Sequence, residues 1–232
     1  MTRPPRIGLT ARSPRALVAY RRSLEVSRGQ PVILAPWTPR PTLRQLYDTL
    51  DGVLLPGGAG IAWLWRQHHR SSGTPSRPRE SWSELESADL QLARWALADR
   101  RPILGICRGI QMMALAVDGR LDRAVPGHRL EDAYPAHEID VAPDSRLREI
   151  LGARRMPVNS RHYRAVLSLP PESGLLPTAW AVGDGVVEGL EARDGVFAVG
   201  VQFHPENLVD VDAASRRLFE RFVAACQRGG GW

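Results

Sequence analysis

Gly105-Ile106-Cys107-Arg108-Gly109 sets one cysteine between two glycines, at the end of the apolar run Pro102-Ile103-Leu104 and ahead of the helix-like stretch 110–115. That spacing predicts a tight strand-to-helix turn with the sulfur at its apex. A glycine two residues to either side removes the Cβ atoms that would crowd such a turn, the logic of the Gly-x-Ser-x-Gly elbow. Backbone N–H groups at the start of the following helix favour negative charge and can stabilise an oxyanion on a bound carbonyl. Acyl transfer through a thiolate is the chemistry this suits. A thiolate needs a base, and the base an orienting partner. Phe203-His204-Pro205-Glu206 supplies both at the end of another apolar run. Residues two apart in extended chain point the same way, so Glu206 can hold the ring of His204 while His204 faces the thiol. Alone, His-Pro-Glu is an ordinary surface turn, and a lone cysteine at a strand end is an ordinary packed thiol. Together they read as nucleophile and base.

Short apolar runs alternating with helix-length amphipathic segments must position these groups, and that alternation predicts an α/β fold with a mostly parallel sheet. Strands are expected over 7–10, 31–35, 52–55 and 103–106, and helices over 14–28 and 82–100. After residue 120 come shorter strand candidates over 138–141, 165–169, 178–182, 186–191 and 196–203, then a last helix over 211–227. The segment 59–81 interrupts the pattern with Trp63, Trp65, His68, His69 and several arginines, and reads as a loop beside the site.

The 232 residues are 43% hydrophobic, enough for one core, and a single domain over 1–232 is expected. No apolar stretch has bilayer length, and 1–6 lack the apolar core of a signal peptide, so a cytoplasmic protein without membrane contact is expected. The net charge of +6 comes from basic residues that are all arginine and spread along the chain, which argues against a nucleic-acid site. Two distant cysteines give no disulfide framework, and no Cys/His grouping has zinc-ligand spacing. No metal or other cofactor is therefore expected. Cys226 reads as packing, His68 and His69 as solvated loop residues, and His128 has no motif context.

Pro56-Gly57-Gly58, then 102–111 around Cys107, then Val199-Gly-Val-Gln-Phe-His-Pro-Glu206 resemble, in order and spacing, the class I glutamine amidotransferase superfamily. Within it, Cys107-Arg108-Gly109, Val158-Asn159-Ser160-Arg161-His162 and Val187-Glu188-Gly189-Leu190-Glu191 resemble the γ-glutamyl-γ-aminobutyrate hydrolase branch. The resemblance runs over 7–222. It implies a three-layer, flavodoxin-like sandwich with a small antiparallel element, and a thioester mechanism on a small γ-glutamyl amide. In that mechanism Cys107 attacks, His204 moves the proton and Glu206 holds the ring. The oxyanion would sit between the amides of Gly58 and Arg108, Gln111 would hold the glutamyl moiety, and Asn159, Ser160 and His162 would lie at the pocket. A homodimer is also implied. His137 opens a strand where a family histidine often stands.

Three departures set this chain apart. The family's acidic, tyrosine-containing loop after Pro-Gly-Gly is here the basic, aromatic 59–81. Its Arg-Asp-x-x-Glu reads Leu85-Glu86-Ser87-Ala88-Asp89, without the arginine, and its His-His-Gln reads His162-Tyr163-Arg164. The loop suits an acidic or aromatic leaving amine better than a polyamine-like one. Two other functions stay open: a glutaminase subunit feeding ammonia to a synthase, and a silent binding protein on the same scaffold.

Overall fold

A computed structural model of the chain describes residues 3–11, 17–58, 83–122, 124–130 and 134–229. In chain order its first half holds β1 (Arg6–Thr10), α1 (Val18–Val26), β2 (Gln30–Leu34), α2 (Arg40–Asp48), β3 (Gly52–Leu55), α3 (Glu84–Ala98), β4 (Ile103–Ile106) and α4 (Arg108–Ala116). Then come β5 (Arg120–Leu121), β6 (Arg129–Leu130), β7 (His137–Val141), α5 (Arg146–Leu151), β8 (Arg155–Val158), β9 (Ser160–Arg161), β10 (Val166–Ser168), β11 (Leu175–Ala181), β12 (Val187–Ala192) and β13 (Ala198–Val201). A 3-10 turn (Pro205–Asn207) and α6 (Ala213–Gln227) follow.

Nine strands form one sheet in the order β2-β1-β3-β4-β13-β12-β11-β7-β8. From β2 to β13 every pairing is parallel, and from β13 to β8 every pairing is antiparallel. The antiparallel strands thus mostly extend the central sheet itself. Two short ribbons, β5 with β10 and β6 with β9, lie apart from it.

The parallel strands are apolar on both faces because helices cover both. Leu54, Leu104, Ile106, Val199 and Val201 face the core shared with α1, α5 and α6. Their neighbours Val53, Leu55, Ile103 and Ala198 face the core shared with α2, α3 and α4. The alternation is the period of the strand, and the result is three layers.

Helix starts follow capping chemistry. Ser83 Oγ accepts from the Glu86 amide while Glu86 Oε2 accepts from the Ser83 amide, so α3 opens on a capping box. Asp212 accepts from the amides of Ala214 and Ser215, which starts α6 at Ala213, later than the expected 211. The strand expected over 196–203 ends at Val201, because His204-Pro205 turns the chain into the 3-10 segment. The first helix is shorter than 14–28, with 12–16 outside the described residues. Helix α2 was not anticipated. It is short, and its signal is Pro41 near the first helical position, preset for helical φ, with Leu43 and Tyr47 buried four apart.

Candidate active site

Cys107 sits between β4 and α4 with φ 51° and ψ −101°, a left-handed conformation that a non-glycine residue rarely holds. Its amide donates to the Val201 carbonyl at 2.8 Å, which ties the turn to β13. The flanking glycines leave room for it. A Cβ on Gly109 would collide with the Leu55 carbonyl oxygen, and one on Gly105 would lie 2.6 Å from Met113 Sδ. Arg108, immediately after the cysteine, is the first residue of α4, so its N–H belongs to the turn whose donors lack helical partners.

β13 runs beside β4 in parallel register and delivers His204 to the same sheet end. His204 Nδ1 lies 2.7 Å from Glu206 Oε1. Its Nε2 has no nitrogen or oxygen partner and is turned to the Cys107 thiol. Burial works against charge on this ring, but Glu206 and the hydrogen-bonded sulfur outweigh it, and the His204 pKa is pushed up to about 10. At neutral pH the ring is an imidazolium, a proton donor held beside the sulfur nucleophile.

The main chain of His204 is fixed as firmly as its ring. Asn159 Nδ2 donates to the His204 carbonyl at 2.9 Å and its Oδ1 accepts from the His204 amide at 2.8 Å. Both ends of the Asn159 amide are thereby used on the base. Gln111, one turn into α4, donates through Nε2 to the Arg164 carbonyl at 2.8 Å and to Gln202 Oε1 at 3.2 Å. Gly58 lies against the side chain of Arg108, where a Cβ would stand 3.1 Å from Nε. Arg108 also pairs with the fully buried Asp89 of α3 at 2.5 Å, and Asp89 in turn accepts from Thr10. The helix that lacks the family's arginine is therefore met by an arginine from the nucleophile's own helix.

Ser160 and His162 lie further back. Ser160 Oγ donates to the His128 carbonyl at 2.6 Å, and His162 faces Glu188 of β12 at 3.3 Å. His128 and His137 face the same carboxylate. Burial alone would raise the Glu188 carboxyl, yet the three imidazoles hold it well below the usual carboxylate range.

Sequence reasoning missed Tyr20 and Gly57. The Tyr20 hydroxyl accepts from the Gly57 amide at 2.9 Å, and burial together with neighbouring Glu206 and Cys107 holds this phenol neutral, well above its ordinary pKa. A Cβ on Gly57 would stand 2.8 Å from His204 Cε1 and 3.3 Å from Cys107 Cβ, so only glycine lets this backbone close over the pair. Gly57 was visible as part of Pro-Gly-Gly. Tyr20 carries no local signal, since it meets the site only through the packing of α1. Cys226 lies in the core as expected, its thiol raised by burial. Trp63, Trp65, His68, His69 and the rest of 59–81 fall outside the described residues.

Among the described residues no helix is long and apolar enough to cross a membrane. A protein-family model described as Peptidase C26 matches residues 9–206. The γ-glutamyl-γ-aminobutyrate hydrolase of Escherichia coli O157:H7 is 32% identical over 214 residues, covering 86% of this chain and 81% of that protein. A Schizosaccharomyces pombe protein provisionally named a glutamine amidotransferase is 30% identical over 203 residues, covering 84% of this chain and 76% of the relative. The solved glutaminase domain of Trypanosoma brucei CTPS with bound acivicin superposes with a TM-score of 0.70 at 15% identity, over 98% of this chain and 95% of that one. With its α/β sandwich and a family match spanning most of its length, the chain belongs to the Peptidase C26 family of class I glutamine amidotransferase-like proteins.

Proposed function

We propose that this chain hydrolyses the amide bond of small γ-glutamyl compounds through a thioester on Cys107. The observation that carries the reading is the line Cys107, His204, Glu206 on a strained elbow, in a chain similar over most of its length to a γ-glutamyl amide hydrolase. The Cys107 sulfur attacks the γ-carbonyl carbon, and the oxygen takes negative charge beside the Gly58 and Arg108 amides. His204 Nε2 gives its proton to the amine nitrogen as the C–N bond breaks. Water then attacks the thioester, His204 takes a proton from it, and release of glutamate restores the thiol. Asn159 acts through His204 by holding its main chain, while Gln111 and the 160–162 segment brace the floor on which the glutamyl group rests. The basic, aromatic composition of 59–81 favours an acidic or aromatic leaving amine.

Incubation with glutamine and a panel of γ-glutamyl amines, followed by glutamate release beside a Cys107→Ala control, tests this. Release from γ-glutamyl amines well above that from glutamine is expected. Release from glutamine alone would assign a glutaminase awaiting a synthase partner, and no release from any compound would leave a binding protein. Turnover of a γ-glutamyl polyamine equal to that of acidic or aromatic amides would remove the role given to 59–81.

A further inference from the structure

Behind the triad, three imidazoles from separate segments converge on one carboxylate. Oε1 of the fully buried Glu188 lies 3.4 Å from His128 Nδ1, 3.2 Å from His137 Nε2 and 3.3 Å from His162 Nε2. None of these inward atoms has a hydrogen-bond partner. The outward nitrogens explain why. His128 Nε2 is 2.8 Å from Asp184 Oδ2, and His162 Nδ1 is 3.1 Å from the Arg164 carbonyl oxygen. Carboxylate and carbonyl oxygens only accept, so both rings place their N–H outward. In neutral form these two rings would aim lone pairs at an anionic oxygen, so the contacts become favourable only with a second proton on the ring or a cation between the groups. A metal cation among these side chains would turn the contacts into ligation.

The separations distinguish the kinds of cation. Ligands at about 2.0–2.2 Å around a tetrahedral zinc stand roughly 3.3–3.4 Å from one another. The three oxygen–nitrogen distances of 3.4, 3.2 and 3.3 Å match that edge length. A proton shared between imidazole and carboxylate draws the atoms to roughly 2.7–2.9 Å, as His204 and Glu206 show at 2.7 Å in the same molecule. The ligand atoms of His128, His137 and Glu188 lie within 4.8 Å of one another. Asp184 and the Arg164 carbonyl are also the type of outer partner that orients a metal-bound histidine.

We propose that His128 Nδ1, His137 Nε2 and the Glu188 carboxylate bind a divalent transition metal of the zinc type. Imidazole donors select zinc over magnesium or calcium. The metal clasps β7, β12 and the β6–β9 ribbon to one another. It stands apart from the hydrolytic chemistry, which uses Cys107 and His204.

Tag-free protein is stripped with chelator and titrated with zinc ion alone, reading bound metal per chain and thermal midpoint. One zinc per chain is expected, with the midpoint raised by roughly 5–10 °C at a hundredfold excess over the dissociation constant. Cys107→Ala retains that zinc, His137→Ala loses it, and Asp184→Ala, a change at a half-exposed surface residue, weakens binding roughly tenfold or more. A wild-type chain that retains no zinc and shows no shift overturns the site. So does zinc that disappears with Cys107→Ala, which would place it on the catalytic thiol, or zinc affinity unmoved by both His137→Ala and Asp184→Ala. Because Asp184 lies outside the core, its variant decides the matter even where His137→Ala fails to fold.

Discussion

The parallel and antiparallel halves of the sheet each carry a buried polar centre, and the two are built on opposite plans. On the parallel side the Cys107, His204 and Glu206 groups form a line, each contact pairing a donor with an acceptor and the last nitrogen left for the sulfur. On the antiparallel side three histidines close around Glu188 and bring their inward nitrogens to one oxygen. A line moves a proton along itself. A ring around an anion has nowhere to send one, and holds whatever cation sits at its centre. Two clusters of the same residue types therefore differ in chemistry through geometry alone.

Removing the ends of the line tests this division most severely. Cys107→Ala and His204→Asn are each expected to lower glutamate release roughly ten-thousand-fold while leaving zinc binding unchanged. Loss of zinc in His204→Asn would mean the two centres are one. Glu206→Gln should cost roughly a hundred- to ten-thousand-fold and lower the alkaline limit of kcat/KM, because the carboxylate is a main cause of the raised His204 pKa.

The same shift bears on stability. His204 has a higher pKa folded, about 10, than its ordinary 6.5, so its contribution is fully present below pH 6.5 and is lost as pH rises toward 10. Denaturation midpoints measured across that window should fall for the parent chain and fall less for His204→Asn. Asn159→Ala, which frees the His204 main chain, should reduce kcat about ten- to a hundredfold with KM little changed. Tyr20→Phe is expected to have the smallest effect, a stability loss of about 1 kcal/mol from the unpaired Gly57 amide and a few-fold loss of rate.

The line was legible in the sequence because each of its parts is local. Gly-x-Cys-x-Gly and His-Pro-Glu are short, and the strand periods that carry them, 103–106 in full and 196–203 in part, predict where they point. The ring was not legible. His128, His137, His162 and Glu188 stand far apart in the chain, with none of the close spacing by which metal ligands are recognised, and only the pairing of β7, β11 and β12 together with the β6–β9 ribbon gathers them. Asn159 was visible as a site residue, but whether it faces substrate or the base depends on the path of β8 and the turn after it. Helix α2, β5 and the β6–β9 ribbon escaped for a simpler reason, each being too short to establish a period, whereas β10 lies inside the strand expected over 165–169.

One backbone oxygen joins the two plans. The Arg164 carbonyl accepts from Gln111 Nε2 on the nucleophile's helix and from His162 Nδ1 at the edge of the ring. Every amino acid brings the same carbonyl, so the side chain at 164 takes no part in this link. The link is therefore invisible to side-chain mutagenesis at 164. Only a change to the main chain itself, such as an ester in place of the amide on the far side of that carbonyl, would weaken the acceptor and show how much passes between the two halves.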